Sequence, residues 1–360
     1  MLKKDLGLLM LIIVVGAVVA IINPRFLSTI NIANTANLVG LFGIFAIGQG
    51  FVIITGGIEL SVGSIIALLG VIFIDLIANQ GVPWPLAMLV VLVIGFAMGL
   101  VHGLLVTKMN LQPFVVTLCG LLIYRGVARF YTHDATAGFP FGVNFPTLEW
   151  LTTGRTDFVA LATGGTVHSL LLPHSFMFML LLALVMWFVL HRSVFGRHLY
   201  AVGKNEEAAR FSGIRTTRVI VAAYVICTVL TAIASIFFAM YTRSILPSGH
   251  GNFYELYAIA AAVLGGFSLR GGEGSIVGVV LGVILLQVLQ NLVNLLGIPT
   301  SLNFAVMGSV ILIGVLADSE FTRYRERKRK LGRLPAGPGA TPAVHTAMTP
   351  SSASETGTNA

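Results

Sequence analysis

Apolar positions in this chain do not form short amphipathic stripes. They run in long blocks separated by brief polar breaks. A block of ~20 apolar residues is what a helix needs to cross the hydrocarbon core of a bilayer. Read this way, the pattern predicts helices near 6–22, 36–55, 60–79, 86–107, 113–131, 171–190, 219–241, 256–268, 276–296 and 301–317, the eighth being the shortest. The expectation is an all-α polytopic membrane protein with about ten transmembrane helices. The first block follows Lys3 and Lys4 and is long for a signal peptide. It runs into Asn23-Pro24 without a small-residue cleavage site, and we read it as a retained helix.

Composition sharpens the class. Of the 360 residues 56% are hydrophobic and only 10% charged, where globular domains carry about 25% charged residues. A soluble enzyme is thereby excluded. Cys119 and Cys227 both lie inside apolar blocks, so no disulfide framework is expected.

Charge then sets orientation. With the N-terminus inside, the cytoplasmic segments hold Lys3, Lys4, Lys108, Arg192, Arg197, Lys204, Arg210, Arg215, Arg218 and Arg270, and the tail residues Arg323, Arg325, Arg327, Lys328, Arg329, Lys330 and Arg333. Arg25, Arg125, Arg129, Arg155 and Arg243 fall outside or toward outer span ends. Such a bias is what the positive-inside rule demands. The formal charge of +8 thus reports topology and attraction to anionic membrane lipid, and no nucleic-acid partner is expected. Both termini are placed in the cytoplasm.

Three segments stand apart: an outer loop over 132–170, a cytoplasmic loop over 191–218, and a tail over 334–360. The tail is rich in Pro, Ala, Thr, Ser and Gly and offers little to bury, so disorder is expected there. Residues 319–333 form a basic juxtamembrane segment. In the cytoplasmic loop, Gly203-Lys204-Asn205-Glu206-Glu207-Ala208-Ala209-Arg210-Phe211-Ser212-Gly213-Ile214 predicts a two-turn helix. Asn205 is a suitable N-cap, the two glutamates suit the positive end of the dipole, and Gly213 is a natural terminator. So short a helix cannot stand alone in water. It docks either on its own membrane domain or on a cytoplasmic partner.

Glycine and amide spacing adds detail. Gly95, Gly99 and Gly103, and again Gly274, Gly278 and Gly282, recur at intervals of four. Each set predicts a bare helix face for close packing, within one subunit or across a dimer. Gly56-Gly57 and Gly265-Gly266 mark junctions between spans on the cytoplasmic side, each followed by polar residues and then Ser-Ile (Ser64-Ile65, Ser275-Ile276), and are read as tight or re-entrant turns. Gln287, Gln290, Asn291 and Asn294 share one helix face. Amides both donate and accept, so this face either bonds to neighbouring helices or lines a path for a neutral polyhydroxylated solute.

Ionisable groups inside spans cost roughly 2.5–3.5 kcal/mol each on insertion scales and are functional candidates for that reason. Arg125 and Arg129 are expected to snorkel to outer headgroups, Asp75 to lie at the interface, Glu59 to cap the third span or pair with a cation near its end, and His102 to be a bonded packing residue. The eight histidines form no metal-spaced cluster, and no nucleophile–base set can be assembled, so no catalytic residue, metal or cofactor is expected. A Gly-x4-Gly-Lys-Ser/Thr phosphate loop is also absent.

The cytoplasmic segment 203–214, together with Gly56-Gly57-Ile58-Glu59-Leu60-Ser61-Val62-Gly63 and Ala258-Ile259-Ala260-Ala261-Ala262-Val263-Leu264-Gly265-Gly266-Phe267-Ser268-Leu269, resembles the permease subunits of bacterial ABC importers for monosaccharides, the ribose, xylose and galactose permease family. Gly271-Gly272-Glu273-Gly274 and Asn294-Leu295-Leu296-Gly297-Ile298 continue the likeness, which covers roughly 35–318. Glu59 departs from it, standing where the family commonly has Asp.

The resemblance implies an ABC permease fold over residues 1–318 in the bacterial inner membrane. Its implied partners are a separate ATPase subunit, a periplasmic sugar-binding protein and a second permease, identical or not. It implies that Gly203, Asn205, Glu206, Ala209, Arg210 and Gly213 form the ATPase-coupling element. It also favours the path reading for Gln287, Gln290, Asn291, Asn294 and Glu59. The rival reading is a secondary carrier driven by an ion gradient, with Glu59 or Asp75 as coupling group. That reading requires a titratable group deep at the midplane among broken helices, whereas the carboxylates are expected near span ends. A membrane-embedded enzyme is the third alternative, and it lacks an assembled catalytic group.

Overall fold

The computed structural model of the chain describes residues 2–157 and 171–299 and, beyond these, five single positions up to residue 312. Twelve helices lie among the described residues. They are α1 (Leu2–Ile22), α2 (Thr29–Ile54), α3 (Val62–Ala78), α4 (Trp84–Lys108), α5 (Pro113–Thr132), α6 (Pro146–Thr153), α7 (His174–His191), α8 (Val194–Lys204), α9 (Glu206–Phe211), α10 (Thr216–Thr242), α11 (Tyr254–Leu264) and α12 (Ile276–Leu295). Seven of these are long and apolar enough to cross a membrane, while α3 and α11 are apolar but shorter. The tenth expected span, the basic segment and the tail lie outside the described residues, apart from the single positions noted.

Burial follows from position in the bundle. Helices α2 and α10 run through the centre, and a core of Phe45, Ile47, Phe51, Tyr224 and Phe238 forms around them. Peripheral helices expose large apolar side chains such as Ile21, Leu89, Leu122 and Leu184. Water would penalise such a surface, but hydrocarbon does not.

The glycine sets decide how closely helices approach. A Cβ at Gly95 would lie 2.6 Å from the Ala232 side chain, and one at Gly103 only 2.7 Å from Val221 Cα. Helices α4 and α10 therefore meet nearly backbone to backbone, within one chain. Gly278 and Gly282 do the same for α12, against the carbonyls of Gly265 and Ala261. Gly274 departs from expectation. Helix α12 begins at Ile276 behind its N-cap Ser275, so Gly274 sits in the preceding turn with φ of +152° against the Phe267 ring.

At one end of the bundle, β1 (Ala137–Gly138) pairs antiparallel with β4 (Ser244–Ile245), and β2 (Arg155–Asp157) with β3 (Leu171–Pro173). The start of the loop over 132–170 is thus fastened to the segment that follows α10.

Candidate functional site

Two breaks in the helical framework organise the interior. After α2 the chain turns at Gly56 (φ +80°) and restarts only at Val62. The second break comes before α11, where residues 246–253 lead from the β4 strand and the helix begins at Tyr254. The starts of α3 and α11 meet: a Cβ on Gly63 would overlap the Gly251 carbonyl and lie 2.7 Å from Glu255 Oε2. Two helix N-termini, each a site of positive potential, converge inside the protein.

A carboxyl group sits at that convergence from each side. Glu59 is fully buried, and its Oε1 accepts the Ser61 N–H at 2.8 Å and the Ser61 hydroxyl at 2.6 Å. Its Oε2 lies 2.7 Å from His102 Nδ1, and His102 Nε2 lies 2.9 Å from the Tyr124 hydroxyl. Gln49, with its amide turned to the bonding orientation, brackets the Glu59 backbone N–H and carbonyl at 3.3 and 3.2 Å. Glu255, also buried, accepts from the backbone N–H of Gly63 and faces the Arg125 charge.

These placements correct the expectation that Glu59 sits near a span end. His102 lies six residues inside the C-terminal end of α4, roughly 9 Å, and Tyr124 is eleven residues into α5, roughly 16 Å. Glu59 is drawn to that depth because the break shortens α3 to 17 residues. Glu255 was not singled out from sequence at all. The four-residue spacing of Arg125 and Arg129 suggested two snorkelling cations, yet they part ways. Arg129 pairs with Asp134 at the surface (2.6 Å), while Arg125 turns inward and donates to the Pro247 and His250 carbonyls at 2.8 and 2.6 Å. Asp75 stays near the C-terminal end of α3, bonded by Asn79 and Gln80.

From this centre a strip of rings leads along α11. His250 lies 6.2 Å from Tyr254, Tyr254 is 4.8 Å from Phe42, and Phe42 is 5.7 Å from Tyr257, measured between ring centroids. Phe42 and Tyr257 line a small cavity between α2, α11 and α12 that also receives Gln287. His250 Nε2, buried at the other end of the strip, has no hydrogen-bond partner among the described residues. An orphaned buried donor or acceptor costs about 1–3 kcal/mol, so it invites a ligand hydroxyl or a water.

The amide face divides. Asn291 donates to Asn31 and Thr35 on α2 at 2.8 and 3.0 Å, which is a helix-to-helix role, and Asn294 is exposed. Gln287 alone of the four lines the cavity. Gln290 is half-buried on the same helix.

The loop over 191–218 holds two helices where one was expected. Asn205 ends α8 and caps α9, its Oδ1 accepting the Ala208 N–H at 2.9 Å, and Gly213 terminates the unit with φ of +84°. Glu206, Arg210 and Phe211 are exposed, whereas Ala209 is buried against the membrane domain. Gly203 is wedged into the bundle. A Cβ there would overlap the Ile54 carbonyl and lie 2.5 Å from the Gly272 nitrogen, and Gly272 N–H itself donates to Ile54 O at 2.8 Å. Lys204 reaches Glu273 at 2.6 Å, and the Tyr200 hydroxyl donates to Gly274 O at 2.7 Å. The helix pair is thereby fastened to both glycine junctions, at the end of α2 and after α11.

Beyond the end of α10, Glu149 accepts from Arg243 at 2.7 Å, which holds its carboxyl below the ordinary range against a smaller opposing desolvation. No group of three or more His, Cys, Asp or Glu among the described residues is placed to hold a metal.

Residues 31–315 match the family described as branched-chain amino acid transport system / permease component. The chain is 40% identical over 313 residues to the ribose import permease protein of Bacillus subtilis (strain 168), covering 87% of this chain and 91% of that protein. It is 35% identical over 318 residues to the ribose import permease protein of Escherichia coli (strain K12), covering 88% and 93%. Identity to the galactose/methyl galactoside import permease protein of Haemophilus influenzae (strain ATCC 51907 / DSM 11121 / KW20 / Rd) is 31% over 343 residues, covering 91% and 97%. No solved structure matches.

Proposed function

The chain belongs to the permease-component family of branched-chain amino acid transport systems, and from that premise we propose that it forms the inner-membrane path of an ATP-driven importer for a monosaccharide. A binding protein delivers the sugar to the outer face and a separate ATPase powers the cycle. The permease works as a pair of such subunits, with both termini in the cytoplasm. The chain itself is a transporter subunit and not an enzyme.

The observation that carries this reading is the wedge at Gly203. Helix α9 presents Glu206, Arg210 and Phe211 to the cytoplasm, while its neighbour α8 touches both glycine junctions, at the end of α2 and before α12, through main-chain atoms. A push on α9 from an ATPase cleft would therefore reach the ends of α2 and α12 without passing through flexible side chains. Asn205, Glu206, Arg210 and Gly213 form the gripped element, and Gly203 and Ala209 seat it.

The solute class follows from the strip along α11. An amino acid would need unpaired charges to receive its ammonium and carboxylate. Arg125 and Glu255 are instead engaged with backbone groups and each other. What remains is ring faces, Gln287 and the orphaned His250 nitrogen, a neutral surface suited to hydroxyl groups. Buried carboxyl groups among broken helices also occur in ion-driven carriers, so that feature does not discriminate. The relatives do, since all three named above are sugar import permeases.

Proteoliposomes holding this chain with its ATPase should take up labelled ribose, galactose or xylose only when ATP and the loaded binding protein are both present. Uptake driven by a proton or sodium gradient in the absence of the ATPase would overturn the reading.

A further inference from the structure

The cytoplasmic halves of α4 and α10 leave a groove of about 780 Å³ between them, within the size range of ligand pockets. Its walls are apolar. Phe96, Leu100 and Leu104 line it at four-residue intervals on α4, facing Val221 and Val225 on α10. Its mouth is cationic, formed by Lys108, Arg210, Arg215 and Arg218, all exposed. None of the four is paired with a carboxyl group among the described residues. The N-terminus of the 27-residue α10 opens at the same mouth and adds the positive end of its dipole.

Topology alone accounts for cations at span ends. It does not account for four unpaired ones around a single groove that runs from Lys108 to Phe96, about 18 Å. That depth is close to one leaflet of a hydrocarbon core ~30 Å thick. The wall residues Phe96, Leu100 and Leu104 are 50%, 36% and 38% exposed and lie on a membrane-spanning helix, where an acidic peptide or a free phosphate has no access.

We propose that this groove binds an anionic diacyl phospholipid of the cytoplasmic leaflet. The headgroup phosphate sits among Lys108, Arg210, Arg215 and Arg218, and an acyl chain follows the wall from Leu104 to Phe96. Because Arg210 belongs to α9, the bound lipid touches the same short helix that the ATPase is proposed to grip. The site itself does not depend on that reading, since its ligand is the membrane.

The test uses the full-length chain in mild detergent, with native mass spectrometry reading retained lipid. Dioleoyl phosphatidylglycerol, dioleoyl phosphatidylcholine and glycerol 1-phosphate are the probes. Phosphatidylglycerol should be retained in preference to phosphatidylcholine. Arg215→Gln with Arg218→Gln should weaken it about 30-fold, from about 1 kcal/mol per cation converted at 1.4 kcal/mol per decade. Leu104→Trp, which fills the groove and leaves the charge unchanged, should weaken it as well, while Arg192→Gln, outside the groove, should not. Melting temperatures of the lipid-free proteins identify any variant that fails to fold, in which case the arginine pair decides. Equal retention of the two lipids, unchanged retention in the arginine pair, or displacement by glycerol 1-phosphate at equal concentration would each overturn the proposal. A lipid-free dimer dissolved by Leu104→Trp would also overturn it and assign the groove to a second copy.

Discussion

Removing His102 tests the buried centre most directly. His102 and Glu59 are 2% and 0% exposed and approach to 2.7 Å, and the contact is satisfied with the proton on either partner. In His102→Leu, Glu59 keeps its two bonds from Ser61 but loses its partner on the Oε2 side. Breaking a buried pair from one side costs about 3–5 kcal/mol. The bonds that survive place this case near the lower figure, about 3 kcal/mol, or a factor of more than a hundred in the unfolding equilibrium. Glu59→Gln can still accept from Ser61 and donate toward His102, so it should cost about 1 kcal/mol. The double variant no longer buries an unmatched carboxyl group, and should be less destabilised than the sum of the singles by about 1.5 kcal/mol or more. Unfolding of the purified chain in mixed micelles, followed by circular dichroism, measures all four proteins. If His102→Leu unfolds within 1 kcal/mol of the parent, or if the singles add, the pair does not hold α3 to α4.

Other consequences follow from the same geometry. Gly99→Ala would place a Cβ over Thr228 Oγ1 and 2.7 Å from Val225 Cα, whereas Gly126 has open space around it. The first should destabilise the bundle by about 1–3 kcal/mol, and Gly126→Ala should be neutral or stabilising by up to about 1 kcal/mol, on the same unfolding assay. Asn205→Ala removes the cap of α9 at a cost of about 1 kcal/mol. ATP-dependent uptake should fall, and Asn205→Asp should restore it. The Glu149–Arg243 contact carries a pH dependence. The folded pKa of Glu149 lies below the ordinary 4.5, so its contribution is complete above pH 4.5 and is lost as the pH falls through the folded value. As a surface pair it is worth about 0.5 kcal/mol. The difference in melting temperature between the parent and Glu149→Gln should close as the medium is acidified below that point.

Much of the framework was legible because apolar run length responds to the bilayer before any packing occurs. The α9 cap at Asn205, the junctions at Gly56-Gly57 and Gly265-Gly266, and the bonded role of His102 were likewise written in local chemistry. Depth was not. Glu59 reads as a span-end residue because nothing in its neighbourhood reveals that α3 starts late. Glu255 and His250 are placed by a descending segment whose composition resembles an ordinary outer loop. The inward turn of Arg125 depends on carbonyls 122 and 125 residues away. The amide face shows the remaining limit, since spacing grouped Gln287 with Asn291 and could not tell a cavity wall from a bond to α2.

The joint where Gly203, Ile54 and Gly271–Gly272 touch is built of peptide atoms alone. Such a joint has no rotamers in which to absorb displacement, and its give is only that of bond angles and torsions. Motion arriving there is shared at once by the end of α2 and the turn before α12, so the two junctions are geared together: neither can swing while the other waits.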